Sequence, residues 1–119
     1  MKNSSFSTSF IHAIEGIRTA IRNERNFKIH LIIAALVVIL CIFLPLEALH
    51  IFMVVYAIFS VLCTELINTA IEAVVDLYCD KKHHPLAKIA KDCAAGAVLL
   101  ASIQAILIAM IVAWQIISG

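Results

Sequence analysis

Three long apolar stretches constrain this 119-residue chain more than any other feature, because they leave little sequence for anything else. Ile29 to Leu46 carries no charge if His30 is neutral, Ala48 to Thr64 carries none, and Cys93 to Gly119 carries none. A helix that spans a bilayer needs about 20 mostly apolar residues. Every backbone polar group in lipid must also be satisfied internally, which favours helices over any open sheet. The expected fold is therefore an all-α membrane protein with membrane helices at about 29–46, 48–75 and 88–118. The three spans form one integral membrane domain over residues 1–119. With 63% hydrophobic residues and 14% charged, the composition excludes a disordered chain and argues against an ordinary soluble domain.

Ahead of the first span, Phe10, Ile14, Ile17 and Ile21 recur at helical spacing, while His12, Glu15, Arg18, Thr19 and Arg22 fill much of the opposite side. This is the pattern of an amphipathic helix, over about 6–25, lying in the membrane interface. Glu24 breaks the pattern, falling about 50° from the centre of the apolar face at 100° per residue. It points either into the bundle or to a basic neighbour at the interface.

The nine basic residues fall in two segments. Lys2, Arg18, Arg22, Arg25 and Lys28 precede the first span; Lys81, Lys82, Lys88 and Lys91 lie between the second and third. With three spans both segments share one side, which the positive-inside rule assigns to the cytoplasm, leaving Gly119 outside. The first apolar run follows a polar, charged lead, so no signal peptide is expected. Cys41, Cys63, Cys79 and Cys93 form no CxxC pair. Cys79, His83, His84 and Cys93 suit zinc by residue type but match no common zinc spacing.

The polar residues of the second span carry the functional signal. Glu65, Asn68, Glu72 and Asp76 are spaced three, four and four apart, so a helix stacks them on one face. Ionisable groups in membrane helices are costly and usually bind something or do chemistry. Polar residues also glue membrane helices together, but four aligned groups, three of them acidic, exceed what glue requires. A proton or cation pathway needs a carboxylate deep in a bundle, whereas this cluster reaches the surface beside Lys91 and Asp92. Carboxylates at that level suit a hard cation such as Mg²⁺, which takes one or two carboxylates plus substrate phosphates. Glu24 and Glu72 are a candidate pair, and Lys91 is a candidate to balance phosphate charge. Glu65, deeper and surrounded by apolar groups, is a candidate general base. Phosphoryl transfer asks for little beyond these parts. The chain has three glycines and neither a GxxxxGK loop nor a GxGxxG turn, so side chains and a metal must hold any nucleotide.

The run Glu65-Leu-Ile-Asn-Thr-Ala-Ile-Glu-Ala-Val-Val-Asp76, followed by Ala90-Lys-Asp-Cys-Ala-Ala-Gly-Ala-Val98, resembles the signature of the small prokaryotic diacylglycerol kinase family. Asn23 to His30 and His84 to Lys88 extend the match over nearly the whole chain. The resemblance implies a homotrimeric helical bundle in the bacterial cell membrane, with sites composite between subunits, so that Glu24 serves its own or a neighbour's site. It implies transfer of the γ-phosphate of ATP to a membrane lipid alcohol with Mg²⁺, and no nucleic-acid partner. By motif, Glu65 would be the catalytic base and Glu24 and Glu72 the metal ligands. The nucleotide would meet His12, Gly16, Glu24, Asn68, Glu72, His83, His84, Lys91 and Asp92, with Asp76 in support. Phe10 to Ile17, Glu24 to Phe27 and Ala94 to Leu99 look like the branch that phosphorylates undecaprenol to undecaprenyl phosphate; diacylglycerol, giving phosphatidic acid, is the alternative. A small proton- or cation-coupled transporter is the alternative of another class. Relatives often carry Lys or Arg just before the surface helix, where this chain has Ser4, Ser5, Ser7, Thr8 and Ser9.

Overall fold

The computed structural model describes residues 5–80 and 82–119; Lys2, Ser4 and Lys81, which enter the charge and motif arguments above, lie outside them. The described chain forms four helices, α1 (Phe6–Asn23), α2 (Arg25–Ile42), α3 (Ala48–Cys79) and α4 (Pro85–Ser118), with no strand among the described residues. The last three are long and apolar enough to cross a bilayer, which makes this an all-helical, multi-pass membrane protein.

The helix ends follow local chemistry. Ser5 caps α1, its hydroxyl accepting from the Thr8 amide at 3.2 Å. Part of the serine-rich lead thus serves as a helix start. At the other end the chain breaks at Glu24, which adopts an extended conformation (φ −107°, ψ 111°) between α1 and α2. Its amide donates to the Ala20 carbonyl at 2.9 Å, and its carbonyl accepts from the Lys28 amide at 3.1 Å. The backbone of Glu24 therefore closes both helices, and its carboxylate caps neither. Phe27, one turn further on, is the largest fully buried side chain among the described residues. Phe10, Ile14, Ile17 and Ile21 of α1 face outward, as expected for a helix in the headgroup boundary, and Ala20 is buried.

Pro45 turns the chain into α3. There the Glu47 amide donates to His50 Nδ1 at 3.2 Å, and His50 Nε2 meets Gln115 Oε1 at 2.9 Å. That contact ties the starting end of α3 to the finishing end of α4. The two helices pack along most of their length, with Ala57, Ala94 and Ala101 buried. Small residues allow such close approach in lipid, where apolar side chains gain little by leaving the hydrocarbon. Gly96 is not part of that demand, since a Cβ there would meet open space.

At its C-terminus α3 stops at Asp80, held in the left-handed conformation (φ 49°), which short polar side chains tolerate. Pro85 then sits at the first turn of α4, and His84 Nδ1 accepts from the Leu86 amide at 3.1 Å. These caps explain why α3 runs to Cys79 rather than 75, and why α4 begins at Pro85 rather than 88. A 32-residue α3 and a 34-residue α4 are about 48 and 51 Å long, well over the roughly 30 Å hydrocarbon core, so both project beyond it.

Candidate functional site

The acidic stripe lies along the second half of α3. Counting from Ala48 at 1.5 Å per residue, Glu65 stands about 26 Å along, Glu72 about 36 Å and Asp76 about 42 Å. A span that began at Ala48 and ran along the bilayer normal through a core about 30 Å thick would end between Glu65 and Glu72.

Glu65 is the most buried ionisable group described, at 3% exposure. Facing it is His30 of α2, with Nε2 3.5 Å from Glu65 Oε2. One turn along, Asn68 is also buried. Its amide nitrogen donates to Glu72 Oε1 at 3.4 Å, while its carbonyl oxygen has no partner. The neighbouring Thr69 hydroxyl is likewise buried and unpaired. Two orphaned oxygens beside carboxylates are costly in a closed protein and are expected where a ligand supplies the missing partners.

Two clefts open beyond this level. The first lies between α1 and α3 and is lined by Gly16, Glu24, Thr69, Glu72 and Asp76, among others. Glu24 reaches it because the chain breaks there, and it forms no ion pair among the described residues. Of its two expected orientations, the structure takes the one toward the bundle. The second cleft lies between the end of α3 and the start of α4, lined by Asp76, His83, His84, Lys88, Lys91 and Asp92. Asp76 belongs to both. Its Oδ1 accepts from Lys91 Nζ at 2.7 Å, fixing the ammonium in the second cleft.

The sequence-predicted residues therefore divide. Gly16, Glu24, Glu72 and Asp76 come together in one cleft, and His83, His84, Lys91 and Asp92 meet Asp76 in the other. Glu65 and Asn68 are buried alongside rather than lining either. His12 is not brought in: it pairs with Glu15 at 3.0 Å on the exposed side of α1. Asp92 pairs with Lys88, also exposed, and His84 uses Nδ1 to cap α4, which leaves only its Nε2 for a ligand.

No group of three or more His, Cys, Asp or Glu among the described residues is placed to hold a metal by itself. Zinc across Cys79, His83, His84 and Cys93 therefore finds no support, and all four cysteines are free. Mg²⁺ needs less from the protein. The oxygen donors Glu24 and Glu72 on one cleft, near the unpaired Asn68 carbonyl, fit a hard cation that shares its remaining positions with phosphates and water.

Two residues of this region carry no sequence assignment, His30 and Thr69. Thr69 gives no sequence signal, being one polar residue inside a motif. His30 did carry one, since a titratable side chain within a span is unusual in itself.

Comparison with known proteins identifies the family. The sequence profile of prokaryotic diacylglycerol kinase matches residues 11–113. The undecaprenol kinase of Bacillus subtilis is 46% identical over 111 residues, covering 90% of this chain and 86% of that protein. A diacylglycerol kinase of Synechocystis is 45% identical over 100 residues; the match covers 84% of this chain but only 57% of that longer relative. The diacylglycerol kinase of Escherichia coli K12 is 33% identical over 101 residues, 85% of this chain and 82% of its own. On a match that extends through all four helices, the chain belongs to the prokaryotic diacylglycerol kinase family, a family of membrane lipid kinases.

Proposed function

We propose that this protein transfers the γ-phosphate of Mg·ATP to undecaprenol, giving undecaprenyl phosphate and ADP. The observation that carries the reading is Glu65 itself: a buried carboxylate on the same helical stripe as Glu72, which lines a cleft with Glu24. In this reading Glu65 stands at the edge of the hydrocarbon core, where a lipid alcohol presents its hydroxyl, and a nucleotide reaches the clefts from water.

Glu65 acts as the base. It accepts the hydroxyl proton as the lipid oxygen bonds to the γ-phosphorus and the bond from that phosphorus to the ADP oxygen breaks. Glu24 and Glu72 would hold a Mg²⁺ ion, which would supply positive charge to the nucleotide phosphates. Asn68 orients Glu72 through its amide. Asp76 holds Lys91 in the second cleft, where the ammonium meets phosphate oxygens. Gly16 leaves the α1 side of the first cleft without a side chain, and His83, His84 and Asp92 border the second.

Undecaprenol is favoured by the match to the Bacillus relative, which covers most of both chains, and by the resemblance of three sequence runs, on the surface helix, at the start of the first membrane helix and on the third. Diacylglycerol is the second candidate, because the Synechocystis relative bears that name at nearly equal identity. A homotrimer accounts for the large share of Ile, Leu, Val and Phe that one chain leaves uncovered, part of it for lipid and part for neighbours. The basic segments and the clefts would face the cytoplasm. The test is transfer of label from γ-labelled ATP by purified protein offered both lipids at equal concentration. Preferential labelling of undecaprenol supports the reading; preference for diacylglycerol selects the second candidate. Proton-coupled flux without labelled lipid would replace both by a transporter.

A further inference from the structure

His30 has no part in the reaction as described so far. We propose that it is the positioning residue of Glu65: its Nε2–H donates to Glu65 Oε2 and fixes the carboxylate so that Oε1 faces the lipid hydroxyl. The proposal rests on the kinase reading of Glu65 given above.

Three observations support it. First, the Nε2 to Oε2 distance is 3.5 Å, and no other basic side chain comes within 4.0 Å of the Glu65 carboxylate among the described residues. That separation is longer than a formed hydrogen bond, and such contacts in ligand-free sites commonly tighten when substrate closes the site. Second, no other hydrogen bond or ion pair joins α2 and α3 among the described residues. A carboxylate in apolar surroundings with a single polar partner takes its orientation from that partner. Third, His30 is the only ionisable residue lining an apolar cavity of about 240 Å³ whose wall includes Ile33, Ala34, Ala57, Val61 and Leu62. The imidazole borders that apolar space and also faces Glu65. Lys28 and Arg25, the nearest cations on the same element, form no ion pair with Glu65.

A purely structural pair would join α2 to α3 and nothing more. The two roles separate through kinetics and through the shape of the replacement. Gln places its amide nitrogen close to where the ring Nε2 stood, whereas Asn is too short and Leu has no donor. The experiment measures kcat, KM for Mg·ATP and thermal unfolding of the purified protein for His30→Gln, His30→Asn and His30→Leu, each alone and in a Glu65→Asp background. The expected result is a kcat loss of about 10- to 100-fold for Asn and Leu, the range for partners that orient reacting groups. KM for Mg·ATP should stay within about two-fold, and Gln should recover most of kcat. With Glu65→Asp, whose shortened carboxylate no longer reaches the ring, His30→Asn should cause little further loss. The Gln and Asn pair carries the test should Leu fail to fold. A wild-type kcat in the Asn variant would overturn the proposal, as would Gln and Asn losing kcat equally in step with stability. Wild-type protein that phosphorylates neither lipid would instead refute the kinase reading itself.

Discussion

Replacing Phe27 by Ala tests whether the junction between α1 and α2 holds the metal-binding carboxylate in place. Phe27 is 2% exposed and lies one helical turn past Glu24, where the chain breaks. Phe→Ala changes in packed cores cost about 3–5 kcal/mol. At a bilayer edge part of the transfer term is lost, because lipid is as apolar as the core, so about 3 kcal/mol is the expected value here. At 1.4 kcal/mol per factor of ten, that weakens docking of α1 about 100-fold. Glu24 then spends less time across from Glu72, so KM for Mg·ATP rises while the lipid KM changes little. The Phe27→Leu variant keeps most of the volume and should cost under about 1.5 kcal/mol. Stability can be followed by denaturant titration in mixed micelles, with Mg·ATP kinetics on the same preparations. If Phe27→Ala matched wild type in both stability and KM, this residue would not position Glu24. If stability fell but KM held, Glu24 would not serve the nucleotide.

The remaining predictions concern the clefts. Glu24→Ala and Glu72→Ala should each raise KM for Mg·ATP, with partial recovery at high Mg²⁺; unchanged Mg·ATP binding with lost turnover would rule out the ligand role. Asp76→Ala frees Lys91 from its 2.7 Å contact, so KM for ATP should rise several-fold without change in the lipid KM. An unaltered ATP KM would make that pair a simple clasp between α3 and α4. Because Glu24 and Glu72 line one cleft of one chain, co-assembling Glu24→Ala with Glu72→Ala subunits should restore no activity. Recovery in the mixture would show that the two carboxylates meet across subunits.

Much of this architecture was legible in the sequence because bilayer physics is strict: the uncharged runs had to be spans, and the spacing of Glu65, Asn68, Glu72 and Asp76 had to make a stripe. The helix ends were less legible. They depend on Ser5, His84 and Pro85 acting as caps and on Asp80 adopting a left-handed turn, all local choices that hydropathy does not see. Glu24 was flagged by its angle on an ideal helix, yet the structure brings it to the cleft by a different route, a break in the helix. Angular position on a wheel has no meaning once the helix ends. His30 is hard to single out in the sequence because a neutral imidazole does not interrupt an apolar run; its relation to Glu65 exists only once α2 and α3 are side by side. The separation of candidates into two clefts joined by Asp76, and the outward position of His12, are likewise tertiary facts.

The central claim is that Glu65 accepts the lipid proton while the other carboxylates serve the nucleotide. Single-turnover transfer from γ-labelled ATP to undecaprenol, measured with Mg·ATP affinity for wild type and Glu65→Gln, tests it directly. Gln keeps the size and loses the basicity, so the account predicts unchanged Mg·ATP binding with transfer slowed at least about 100-fold. Transfer by Glu65→Gln at close to the wild-type rate would contradict it.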